Sequence, residues 1–102
     1  MIIWARPHEF GVTDPDDFTR FHVECGGLTS QEFAALLKAS HDVEPHEDQR
    51  HVWVSVAFLH VQLGIADNTV RRDGLQRMLA FAAKNGWLNP SGTHIAAHIK
   101  GL

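Results

Sequence analysis

Apolar side chains recur at helical spacing in the middle of this chain and alternate loosely near its two ends. Asp14-Pro15-Asp16-Asp17 predicts a helix start: Asp14 can cap free backbone N–H groups, Pro15 suits the first helical position, and the acids face the positive end of the dipole. Phe18, Phe21 and Cys25 would form its apolar face, and Gly26-Gly27 would end it. Thr29-Ser30-Gln31-Glu32 matches a capping box, with Leu28 and Phe33 at the staple positions. Phe33, Leu36 and Leu37 give that second helix its buried side, which fades near Ser40-His41-Asp42.

A further helix is expected from the Asn68 cap to about Lys84. Val70, Leu75, Met78, Leu79 and Ala82 lie on one side of it, with Arg71, Asp73, Gln76, Arg77 and Lys84 mostly elsewhere. Gly86 after Asn85 predicts a left-handed cap, with Trp87 packing back on Phe81 and Ala82. Asn89-Pro90-Ser91-Gly92 carries the preferences of a type I turn.

Segment 45–63 is ambiguous. Pro45 with Glu44, Glu47 and Asp48 resembles an acidic helix start, whereas Val52-Trp53-Val54-Ser55-Val56 is rich in strand formers. Its length favours a buried helix. Ile2 to Arg6, stopped by Pro7, predicts a terminal strand, and residues 8–13, which include Gly11, read as a loop. His94 to Ile99 reads as a closing strand or one more helical turn. Together these patterns predict a mainly α domain, a compact bundle of about four helices with a small two-stranded β-ribbon from the chain termini. The alternative is α+β, with 51–61 as a central strand.

The 102 residues and 11.4 kDa fit a single domain over 1–102, and 44% hydrophobic with 21% charged residues exclude a disordered chain. The net charge of −3 opposes nucleic-acid binding, so Arg71, Arg72 and Arg77 read as the wet face of a helix. Cys25, the only cysteine, rules out an internal disulfide and a multi-cysteine zinc site. The amino end lacks the pattern of a signal peptide, and the longest apolar run, Val52 to Leu63, is interrupted and shorter than the ~20 residues of a membrane span. A cytoplasmic location without membrane contact is the expectation.

Eight histidines are the compositional oddity. His46 and His51 fail the zinc-protease spacing, because five residues on a helix turn them ~140° apart. His94 and His98 have the four-residue spacing that would let two rings share a transition metal on a helix, but on a strand they stand ~13 Å apart. His22 and Cys25 could be paired as base and nucleophile, yet Glu24 opposes a thiolate and a packed cysteine is the simpler reading. Trp4, Trp53 and Trp87 read as core, and His60 as a hydrogen-bonded residue of an apolar segment. If the two chain ends pair antiparallel, Arg6, His8 and His94 would cluster, with Glu9 near, as a small cationic pocket for a carboxylate or phosphate.

With no phosphate loop, serine elbow or paired carboxylate motif, the favoured expectation is a non-enzymatic module that binds a protein partner or self-associates. The rival is a histidine-based site for a metal or small anion, which could be catalytic. No cofactor is specifically predicted.

Overall fold

A computed structural model describes residues 1–102. Strands β1 (Ile2–Arg6), β2 (Glu9–Thr13) and β3 (His22–Glu24) come first, followed by helix α1 (Ser30–Ala39). Strands β4 (Val43–Pro45) and β5 (His51–Ser55) precede helices α2 (Val56–Leu63) and α3 (Thr69–Lys84), and β6 (His94–Lys100) closes the order. A short 3-10 turn at Ile65–Asp67 joins α2 to α3. The six strands form one sheet in the order β2-β1-β3-β6-β5-β4. The outer pairs β1–β2, β5–β6 and β4–β5 are antiparallel, and β3 runs parallel to both β1 and β6.

This architecture overturns the expectation of a mainly α four-helix bundle: it is a mixed α/β domain built on a curled sheet. Three segments account for the difference. The Asp14 helix does not form. Asp14 takes a left-handed φ of 51°, the Asp17 carboxylate accepts from Thr19 and Arg20, and the amino-terminal ammonium donates to the carbonyls of Asp17 and Arg20. The segment stays a loop, and His22–Glu24 beyond it gains two strand partners instead of helical bonds. Residues 9–13, expected as loop, pair with β1 across a tight turn at Pro7-His8.

Segment 45–63 divides. Val52 and Val54 are buried on one face and His51, Trp53 and Ser55 lie on the other, the alternation of a strand. Ser55 then caps α2 by accepting from the Phe58 N–H at 3.2 Å. The alternative central strand over 51–61 therefore stops at Ser55 and stands one place from the sheet edge.

The terminal ribbon also fails, because β3 lies between β1 and β6 and all three are parallel. Two chain ends that enter a sheet in the same direction cannot pair antiparallel.

Other elements match their local signals. Thr29 and Glu32 form the reciprocal capping box of α1, and Asn68 caps α3 by accepting from the Arg71 N–H at 3.0 Å. Gly86, at φ 74°, ends α3, and the Trp87 N–H reaches the Ala82 carbonyl at 2.8 Å, as the Schellman motif requires. No helix is long and apolar enough to cross a membrane.

The core fills one face of the sheet. Ile3, Val23, Val52, Val54, Ile95 and Ala97 from the strands meet Phe33 and Leu36 of α1, Leu59 and Leu63 of α2, and Leu75 of α3. Those inward positions leave the alternate residues of β3, β5 and β6 on the opposite face, where His22, His51, Trp53, His94 and His98 stand. That face is where the chemistry gathers.

Candidate functional site

Three histidines occupy one rung of the sheet: His22 pairs with His98, and His98 with His51, across the adjacent strands β3, β6 and β5. Residues in register on neighbouring strands point to the same face, so the rings are brought side by side. The His51 and His98 centroids are 5.1 Å apart, edge to face. His22 is held at one end of the row by Glu24, two residues on and on the same face, at 3.0 Å.

A fourth ring joins from the β4–β5 connection. Asp48 folds that connection back: its Oδ1 accepts from the Arg50 N–H at 2.8 Å, and its carbonyl accepts from the His51 N–H at 3.0 Å. The bend returns His46 onto Trp53, with centroids 4.4 Å apart, and brings it within 5.6 Å of His51. The five-residue spacing that separates two histidines on a helix is no obstacle in a turn.

The hydrogen bonds select the tautomer of each neutral ring. His46 Nδ1 lies 2.9 Å from the Asp48 backbone N–H, which can only donate, so neutral His46 carries its proton on Nε2. The Asp48 carboxyl is held below the usual carboxylate range, chiefly by the Arg50 amide and further by His51. A carboxylate can only accept, so at 3.2 Å His51 donates its Nδ1–H to Asp48, and the neutral ring carries its lone pair on Nε2. One ring thus offers a donor and its neighbour an acceptor, and neither Nε2 is engaged within the protein.

These rings border a cleft of about 600 Å³. Its polar side is His46, Asp48, His51 and His98, and its apolar wall comprises Phe18, Phe21, Met78, Phe81 and Trp87. Phe81 and Trp87 touch edge to face with centroids 5.5 Å apart, at 58% and 48% exposure. Phe18 is placed by the loop that Asp17 anchors, whose carboxyl is lowered first by the Thr19 hydroxyl. Its ring lies over Gly74 of α3 so closely that a Cβ there would meet it at 2.5 Å. No lysine or arginine lines the cleft.

Of the candidate residues Arg6, His8, His94 and His98, His98 alone lines this cleft, and the others lie elsewhere. Arg6 stacks over Trp4, its guanidinium carbon 4.2 Å from the ring centroid. His8 is exposed in the β1–β2 turn and borders a second, wider cleft with His41, Asp42 and Ser55. His94 begins β6, at the opposite end of the parallel strands from Arg6. Both its ring nitrogens are occupied: Nε2 is 2.6 Å from Glu44 Oε2 and Nδ1 is 2.8 Å from Thr93 Oγ1. The supposed pocket of Arg6, His8 and His94 is therefore not assembled.

His94 and His98 share a face of one strand at a four-residue separation of ~13 Å, too far for one metal. No group of three or more His, Cys, Asp or Glu side chains converges to hold a metal ion. Cys25 is fully buried, and burial pushes its thiol up to about 11, with Glu24 adding to the shift. Arg71 pairs with Asp16 at 2.8 Å and Arg72 with Asp73 at 3.5 Å.

The sequence offers His98 only as a metal partner of His94, and its neighbours His46, Asp48 and His51 meet because the chain makes a hairpin where local pattern favours a helix. The available signal was Asp48 followed by His51, which fits an Asx-type turn as well as a helix start. No family model matches this chain, and no curated protein or solved structure matches it either.

Proposed function

We propose that the cleft binds a small, uncharged aromatic molecule bearing a carbonyl or hydroxyl oxygen. The reading rests on one observation: His46, His51 and His98 and the Phe18–Phe21–Met78–Phe81–Trp87 wall line the same cavity. Its volume of about 600 Å³ suits a ligand of one or two rings, and the pattern of apolar walls with a few convergent polar groups is typical of ligand sites. The aromatic wall takes the ring, and His46 Nε2–H meets the oxygen. The charged Asp48, with no cation lining the cavity, disfavours a carboxylate ligand.

Calorimetric titration with 2-indanone, a neutral aryl ketone, tests this. Saturable binding is expected, weakened more than about tenfold by Trp87→Ala, with benzoate binding about tenfold more weakly than the ketone. No saturable heat with 2-indanone, or equal affinity for benzoate, would count against the assignment.

A second reading draws on the exposure of Phe81 and Trp87 at 58% and 48%: the same aromatic pair could dock a protein partner or a second copy of the chain. Sedimentation equilibrium of the wild type beside Phe81→Ser decides for self-association. A monomer in both cases removes it.

A further inference from the structure

We propose that His46 and His51 are an electrophile and base pair that moves a proton between carbon and oxygen in an α-aryl ketone, interconverting its keto and enol forms. The inference rests on the cleft's binding of neutral aryl carbonyl compounds and adds a reaction to it.

Two features carry it. The first is the opposite hydrogen-bonding character of two adjacent rings. Backbone donation to His46 Nδ1 leaves Nε2–H as a donor, and the Asp48 carboxylate on His51 Nδ1 leaves Nε2 as an acceptor. The second is their spacing. Centroids 5.6 Å apart, with planes tilted by 44°, put both rings beside one small carbonyl compound, whose oxygen and α-carbon are neighbours. A proton-transferring group must come within ~2.6–3.2 Å of its target, and two such reaches span the separation of these rings.

The cleft favours the same substrate. An aryl group against Phe81 and Trp87 acidifies the benzylic carbon beside the carbonyl.

The step balances within the substrate. His51 Nε2 takes the α-proton, the C–H electron pair becomes the C=C bond, and the carbonyl π pair moves to oxygen, where His46 Nε2–H stabilises it. The proton carried by His51 then passes to that oxygen, giving the enol and restoring both rings. In the reverse direction the proton returns to carbon. No oxidant, reductant or metal enters. Asp48 is a positioning residue: it holds His51 in the tautomer that leaves Nε2 unprotonated and stabilises the ring while it carries the proton.

The test is exchange of the benzylic hydrogens of 2-indanone in D2O, followed by NMR. The wild type is expected to exceed an equal concentration of free imidazole by about 100-fold or more. His51→Gln should lose that acceleration while still binding 2-indanone saturably by calorimetry and keeping the wild-type circular dichroism spectrum. Asp48→Asn should lower kcat with KM little changed. Binding without acceleration, or His51→Gln exchanging as fast as wild type, overturns the catalytic assignment and leaves the binding reading standing. Absence of binding by the wild type overturns both.

Discussion

Single residues decide how the cleft is walled. Gly74 lies inside α3, where an alanine would ordinarily gain about 1 kcal/mol of helix stability. Here a Cβ would sit 2.5 Å from Phe18 Cε2 and 2.7 Å from Cδ2, so the ring must move. Gly74→Ala is therefore expected to destabilise the fold by about 1–2 kcal/mol despite the better helix former. It should also weaken 2-indanone binding, because Phe18 is part of the wall. Thermal melts and calorimetric titration of the variant check both outcomes. Gly11 plays a similar part under Trp4, whose ring atoms come within 1.9 Å of where a Cβ would stand. That tryptophan covers a neighbouring strand and carries Arg6 on its face, so the arginine is unavailable to any histidine pocket.

At the scale of elements, the loop from Asp14 to Phe21 depends on α3 for its position. Asp16 bonds Arg71 twice, at 2.8 and 3.2 Å, and the arginine lowers the Asp16 carboxyl from its ordinary value. A carboxyl depressed in the folded state contributes stability above its unfolded value, and that contribution is lost as pH falls through the folded one. Asp16→Asn should therefore lower the melting temperature slightly near neutral pH. The gap from wild type should close as the solution is acidified below about pH 4. A pair of melting curves over that range is the measurement.

The same loop marks the limit of what local sequence reveals. The capping box at Thr29 and the Asn68 cap were readable because their bonds lie within a few residues. Asp14-Pro15 offered an equally good helix start, but bonds from the distant amino terminus and from two strands outweighed it. Val52 to Leu63 hid a strand and a helix in one apolar run, since Ser55 is a cap only if the chain changes direction there. The site was harder still. His22 and His98 become neighbours only through parallel pairing, which hydrophobic periodicity does not encode, and His46 reaches His51 only because Asp48 turns the chain.

For the whole molecule, the sheet order places β6 between β3 and β5 and leaves β2 and β4 at the edges. Val43 of β4 is buried, while Glu44 and Pro45 end that edge with a charge and a missing donor, which discourages pairing with another chain. Amides at Ile95 to Ile99 are expected to exchange with solvent more than about tenfold more slowly than those at Phe10 to Val12, because opening a flanked strand disrupts more of the core. Native-state hydrogen exchange by NMR resolves the two groups.

Because β3 is only three residues long and is gripped by strands from opposite ends of the chain, it acts as a seam between two separately built halves. The β1–β2 and β4–β5 pairings are local in sequence. The histidine rung, however, exists only once β6 has docked. Formation of the site is thereby tied to a long-range closure, between residues 22 and 98. A partly assembled chain would possess hairpins and helices but no binding cavity, so ligand capture would report completed folding.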